Sequence, residues 1–292
     1  MSEDHSEYHE LFCLKTLQRG TPTAFALSPT ERWLCSASDY GDLLIQRATQ
    51  GYIYCHVGMD RSNHVVAIVW ATDLQLILGC FNGTVYVATL MVQSNQKKIK
   101  ITHLLSDIIS PIRALAYDPE RKILALGYRG HVSIWQHRAP LWEMIDIFRT
   151  TINLAVAKVN SLHFFGPRKS LFIGLDSGAM IWFARGERTV VDMGDRLCRI
   201  GATALSPDEL IMAASTLDQH ILIWLLTAEG PITDLSHEYS LESGREWHMF
   251  EPRTPVVITN DSKVVCGTLD GTVTVLSHRG LCLQKLKYGT IG

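Results

Sequence analysis

A short phrase recurs six times along the chain and constrains the fold more than any other feature. The phrase is a tight turn, an apolar strand and a closing residue, and its clearest copy runs from Leu217 to Trp224. The closing positions are residues 46, 88, 135, 182, 224 and 276, in steps of 42, 47, 47, 42 and 52 residues. A period of that size indicates stacked copies of one supersecondary unit.

Each repeat contains four stretches with the character of β-strands. The first ends in a turn pair such as Ser28-Pro29, the second (123–127) is nearly all apolar, the third (272–275) alternates, and the fourth (98–102) is more polar. One such meander cannot cover both of its faces, whereas radially stacked sheets cover one another. We therefore predict an all-β fold, a β-propeller of four-stranded antiparallel blades. The predicted repeats lie near residues 21–58, 64–105, 111–149, 158–193, 199–241 and 253–288.

One domain accounts for this pattern. We expect an acidic polar tail over residues 1–9 and a single propeller domain over residues 10–292. A further strand at 11–17 precedes the first repeat, so six repeats leave one outer strand in surplus. Our preferred interpretation is a seven-bladed design whose last blade is incomplete in this chain. A six-bladed ring with one redundant strand is the alternative.

The turns and closing positions carry a recognisable motif. Tryptophan closes the third, fourth and fifth copies, and an acid or asparagine occupies the turn of four copies. These residues are Trp135, Trp182 and Trp224 at the closing positions, and Asn82, Asp176, Asp218 and Asp270 in the turns. In them the chain resembles the WD-repeat (WD40) family, and it is similar to uncharacterised fungal WD-repeat proteins. The resemblance spans nearly the whole chain, while Tyr40 and Arg129 break the motif at the turn.

Both kinds of motif residue have a structural interpretation. A carboxylate in a tight loop can accept backbone N–H bonds and fix the turn. Tryptophans at strand ends in register are expected in the core rather than on a binding surface. The resemblance itself implies an intracellular scaffold for protein–protein interaction, with its docking surface at the end of the ring that carries the turns before the first and third strands.

A predicted rim of eight residues occupies that end. Its members are Tyr40, Arg61, His64, Arg113, Arg129, Lys158, Arg199 and Arg253. Six of the eight are Arg or Lys in a chain of formal net charge −2. Because guanidinium forks bind carboxylates and phosphates in bidentate fashion, we predict that the rim binds an acidic or phosphorylated peptide or protein. The alternative is that these cations only solvate loop ends.

Composition limits the partners and compartments that we expect for this chain. With 47% hydrophobic and 19% charged residues the chain can bury a core, and its charge gives no reason to expect nucleic acid. The seven cysteines are spread singly, which favours small buried side chains in a reducing, cytoplasmic or nuclear compartment rather than a disulfide framework. No uncharged apolar run approaches the roughly 20 residues of a membrane helix, so we expect no membrane segment.

Motifs for catalysis or cofactors are absent from the sequence. It has no glycine-rich nucleotide loop, no Gly-x-Ser-x-Gly and no His-Glu-x-x-His. We expect no metal site from His5 and His9 of the tail, and no cofactor. The predicted first strands at 65–70, 112–117 and 200–205 lack Asp, Glu and His, with His163 as an exception elsewhere. The prediction is a non-catalytic scaffold that is part of a complex. The alternatives are a ligand-sensing module of a larger protein and a propeller hydrolase.

Overall fold

Antiparallel β-strands make up the protein, which we describe from a computed structural model. The structure describes residues 19–91, 98–106, 108–152, 155–166, 170–184, 187–191, 199–227, 230–231, 237–241, 254–268 and 272–287. The tail at 1–9, the surplus strand at 11–17, and Arg253 and Asp270 lie outside these residues. The described part contains one helical segment, the 3-10 turn Arg61–Asn63, and no helix in it is long and apolar enough to cross a membrane.

The chain divides into two units, Met1–Pro111 and Ile112–Gly292. Two four-stranded sheets form the first unit, each in sequential strand order. The first blade consists of β1 (Pro22–Leu27), β2 (Trp33–Ser38), β3 (Asp42–Arg47) and β4 (Ile53–Gly58). The second consists of β5 (Val65–Thr72), β6 (Gln75–Cys80), β7 (Val85–Met91) and β8 (Lys98–Leu105).

Four further sheets form the second unit. The third blade consists of β9 (Ala114–Asp118), β10 (Ile123–Tyr128), β11 (His131–Arg138) and β12 (Leu141–Arg149), and a small hairpin of β13 (Thr151–Ile152) and β14 (Ala155–Val156) follows it. The fourth consists of β15 (Val159–Phe165), β16 (Ser170–Leu175), β17 (Met180–Ala184) and β18 (Glu187–Val191). The fifth consists of β19 (Ile200–Leu205), β20 (Ile211–Thr216) and β21 (His220–Thr227), with β22 (Gly230–Pro231) and β23 (His237–Ser240) both paired to β21. The sixth consists of β24 (Val256–Ile258), β25 (Val264–Gly267), β26 (Thr272–Leu276) and β27 (Cys282–Lys287).

The predicted all-β fold of four-stranded antiparallel propeller blades is confirmed, with six blades described. The seventh blade stays a prediction. Inside each unit neighbouring blades pack against each other through their first strands and, in places, through a second strand. In the first unit Trp70 Nε1 of β5 donates to the Ala26 carbonyl of β1 at 3.0 Å. In the second unit Ser215 Oγ of β20 donates to the carbonyl of Thr254, just before β24, at 2.6 Å.

The outer strand of the third blade exposes apolar side chains, although the sequence predicts a more polar fourth segment in each repeat. In β12 four apolar side chains, Leu141, Met144, Ile145 and Ile147, are exposed. This strand is the free edge of its sheet, so side chains on both of its faces reach solvent. The outer part of the fifth blade is divided between β22 and β23.

One edge of each blade combines two kinds of segment, and we call it the turn edge. It carries the turn between the second and third strands and the residues that enter the first strand. In the fifth blade, for example, Ile200 at the start of β19 pairs with Thr216 at the end of β20. Antiparallel pairing in register therefore places the turn positions of the motif beside the entry positions of the predicted rim.

Candidate partner-binding site

Four cationic residues lie along the turn edge of the second unit, and we call them the basic group. Arg113 enters β9, Arg129 lies in the turn between β10 and β11, Lys158 enters β15 and Arg199 enters β19. Main-chain bonds fix their positions. The Arg113 N–H donates to the Gly127 carbonyl at 2.9 Å, and Arg129 pairs with Lys158 in an isolated antiparallel bridge. The third and fourth blades thus bring two cations together through backbone geometry.

Asp176, in the turn between β16 and β17, lies at the centre of this group. Its Oδ1 accepts the Lys158 backbone N–H at 2.7 Å, and its Oδ2 lies 3.6 Å from Lys158 Nζ. Arg199 donates from Nε to the Asp176 carbonyl at 3.1 Å, and one of its terminal nitrogens is 3.9 Å from Oδ2. The turn acid therefore fixes the entry of the fourth blade and also pairs with the cations of two blades.

The basic group has more positive charge than this carboxylate neutralises. Arg113 is half-buried, and no acceptor among the described residues lies within hydrogen-bond distance of its guanidinium. A second turn acid of this unit, Asp218, faces His220, with 3.3 Å between Asp218 Oδ2 and His220 Nδ1. His220 Nε2 is in turn 3.5 Å from Glu238. The fifth blade thus adds acidic groups beside Arg199, whereas Arg113 of the third blade has no acidic partner among the described residues.

Three members of the predicted rim belong to the first unit. Tyr40, in the turn between β2 and β3, carries the guanidinium of Arg61 over its ring, with 4.3 Å from Cζ to the ring centroid. Behind the ring lies Gly20, whose φ is +79°, and a Cβ at that position would be 2.3 Å from Tyr40 Cδ2. Only glycine allows this approach, so the ring contacts the Gly20 backbone as well as the Arg61 guanidinium.

The third member, His64, lies between Arg61 and an aromatic side chain. Its Nδ1–H donates to the Arg61 carbonyl at 3.0 Å. Its ring stacks on that of Phe81, with centroids 4.9 Å apart and 19° between the planes. The neighbouring Asn63 donates from Nδ2 to Tyr86 Oη at 2.9 Å, while its Oδ1 is buried without a hydrogen-bond partner among the described residues.

A buried carboxylate under this edge was missed by sequence reasoning. Asp42 opens β3, and its side chain has 0% exposure. It accepts the Arg19 backbone N–H at 2.9 Å, two bonds of 3.3 Å from the Arg19 guanidinium, and one of 3.1 Å from His56 Nε2. Hydrogen bonds from Arg19, with a smaller contribution from His56, lower the pKa of Asp42 to about 2. The available signal was an acid where four of the other five copies of the phrase have threonine or histidine.

The remaining motif residues are placed in different environments. Asn82 accepts the Thr84 N–H on Oδ1 at 2.9 Å and closes its own turn. Trp224 is completely buried in a cluster with Phe172 and Met212. Trp135 and Trp182, by contrast, are only half-buried, and Trp135 Nε1 donates to Ser133 Oγ at 2.9 Å. The three tryptophans therefore do not share one environment, although they share one register.

Among the described residues no group of three His, Cys, Asp or Glu side chains is placed to hold a metal ion. No model of a known protein family matches the chain, and no curated protein matches it either.

Proposed function

We propose that the protein is a WD-repeat scaffold without catalytic activity, which binds an acidic or phosphorylated segment of a partner protein through the basic group. One observation carries this proposal: Arg113, Arg129, Lys158 and Arg199 line one edge, where Asp176 pairs with two of them. Guanidinium forks that are held by a fixed backbone lose little entropy when they bind a carboxylate or a phosphate.

Peptide binding tests the proposal directly. The probes are fluorescein-labelled peptides of alternating glutamate and serine, with and without phosphate on the serines, measured by fluorescence anisotropy with the full chain. We expect both to bind, the phosphorylated one more tightly, with affinity that falls as salt rises. The double variant Arg113→Glu/Arg129→Glu should lose at least about tenfold in affinity, because repulsion replaces attraction at both positions.

A matched control distinguishes the loss of the binding site from the effect of a changed net charge. Arg121 and Arg138 lie at the opposite edge of the same blade, so Arg121→Glu/Arg138→Glu changes the net charge equally. This control should bind the probes like the wild type. Equal losses in both double variants, or none in either, would show that the basic group is not the binding site.

The compartment that we propose is reducing, cytoplasmic or nuclear. The described cysteines are free thiols, of which Cys35, Cys55, Cys80 and Cys266 are buried and Cys282 is exposed, unlike the uniformly buried set that the sequence suggests. Burial raises the pKa of the Cys55 thiol to about 11, so it stays protonated and unreactive. Titration of thiols in protein unfolded without reductant should count all seven cysteines.

A further inference from the structure

Five residues that contact one another in sequence form a row along the turn edge of the first unit. The backbone of Gly20 supports the ring of Tyr40, the guanidinium of Arg61 covers that ring, His64 donates to the Arg61 carbonyl, and Phe81 stacks on His64. A main-chain bond closes the row, because the Phe81 N–H donates to the His64 carbonyl at 2.9 Å. These contacts therefore fix the positions of Arg61 and Phe81 relative to each other in the absence of a ligand.

The guanidinium of Arg61 is held in place by its contact with Tyr40, while its hydrogen-bond donors remain available. Its face lies on Tyr40, and among the described residues no carboxylate or other acceptor binds its N–H groups. Arg19, at the same edge, differs, because Asp42 takes its guanidinium in two hydrogen bonds. Stacking uses the face of a guanidinium and leaves the N–H donors in its plane free for a bidentate acceptor.

An apolar anchor lies at the other end of the row. Phe81 is 48% exposed at the first position of the turn that follows β6. Ile109 is fully exposed on the segment that packs against this turn, where a Cβ on Gly83 would be 1.7 Å from the Ile108 carbonyl oxygen. Aromatic and arginine side chains with this exposure and rigid support are typical of binding hot spots.

The two ends of the row offer different chemistry. Arg61 covers one face of the Tyr40 ring, and the Gly20 backbone comes close to that ring at Cδ2. His64 occupies one face of Phe81. An acidic side chain for the open fork, next to an apolar side chain for the exposed ring, satisfies both ends of the row.

We propose that this row binds a peptide segment in which an acidic residue and a bulky apolar residue are two positions apart. In an extended peptide such side chains point to the same face, so both can reach one edge of the protein. Arg61 binds the carboxylate, and Phe81 with Ile109 contacts the apolar side chain. The inference rests on the proposed function only in taking turn edges as binding surfaces. Its residues belong to the other unit, and its ligand has a different pattern.

The test uses a labelled peptide with the order Gly-Ser-Glu-Ser-Phe-Ser-Gly and the full chain in an anisotropy titration. We expect binding that weakens at least about tenfold when the glutamate becomes glutamine or the phenylalanine becomes alanine. On the protein side, Arg61→Gln and Phe81→Ser should each cause a comparable loss. Arg61→Lys should also bind more weakly than the wild type, because a lysine keeps the charge but not the fork.

Two controls make the result specific. Arg47→Gln removes an arginine that also lies over an aromatic ring, 4.9 Å from the centroid of Trp33, but at the opposite edge of the first blade. This variant, and Arg113→Glu/Arg129→Glu in the second unit, should bind the peptide like the wild type. The inference is overturned if the wild type does not bind the peptide, if the glutamine peptide binds equally well, or if Arg61→Gln has no effect. The proposed function would be unaffected, because its probes and variants address the second unit.

Discussion

The carboxylate of Asp42 accepts three hydrogen bonds from Arg19, one from the backbone amide and two from the guanidinium. The carboxylate is fully buried, whereas the arginine side chain is 71% exposed. A buried acid thus ties the segment that enters the first blade to the strand β3, and this tie has a measurable pH dependence.

Replacement of Asp42 by asparagine should lower the free energy of unfolding by about 1–3 kcal/mol, because the buried ionic partner of Arg19 is lost. The pKa of Asp42 is lowered from 3.8 to about 2 on folding. The wild-type advantage should therefore be complete above pH 3.8 and should disappear as the pH falls towards 2, where the unfolded chain takes up the proton first. Urea unfolding at several pH values measures this. An equal difference at every pH would contradict the assignment.

Protonation of His163 should weaken the second unit in mildly acidic solution. Burial lowers the pKa of this histidine below 6.5, and its Nε2 donates to Thr203, 3.0 Å from the carbonyl oxygen and 2.8 Å from Oγ1. Below pH 6.5 the unfolded chain binds the proton more readily, so stability should fall as the pH decreases. The melting temperature of His163→Gln should change less between pH 7.5 and pH 5.5 than that of the wild type, because glutamine retains a donor but does not titrate in this range. Parallel curves would argue against a role for His163.

Truncation of Trp224 to alanine should cost on the order of 3–5 kcal/mol, because its fully buried side chain leaves a cavity among large neighbours. The matched control is Trp135→Ala, which removes the same side chain at the same register position where it is only half-buried. Thermal or chemical unfolding should show a clearly larger loss for Trp224→Ala. Similar losses would contradict the difference in burial.

The turn at Gly83 should tolerate no side chain. Its φ is +90°, and a Cβ would lie 1.7 Å from the Ile108 carbonyl oxygen. Gly83→Ala should therefore lower stability by more than about 1–2 kcal/mol. Gly58→Ala serves as the control, since a Cβ there meets nothing within 4 Å. The midpoint of urea unfolding distinguishes the two, and a neutral Gly83→Ala would rule out the close approach.

The repeat predicted the blades well because strand register is a local property. The turn at Asn82 and the strand after it appear at β7, and the entry positions of Lys158 and Arg199 appear at the turn edge. Spacing could not show that Arg199 reaches Asp176, because that contact depends on how neighbouring blades pack. It also could not separate the buried Trp224 from the half-buried Trp135, since both close the same phrase.

The first unit also contains contacts that could not be predicted from the spacing of the repeat. Tyr40 and Arg61 were both expected at the turn edge, yet their stacking depends on Gly20, which lies outside the repeated phrase. Phe81 was not singled out in the sequence, because exposure cannot be read from hydrophobicity alone. Sequence reasoning therefore missed side chains whose contacts are made by residues of a different strand or turn.

The row from Gly20 to Phe81 has a consequence for how the protein can evolve. Each group in it is held by the next, so a change at one position alters the support of its neighbour. Substitutions within the row should therefore combine non-additively, and a new ligand preference would require coordinated changes rather than independent ones. We expect natural variants to keep or to lose these five residues as a set.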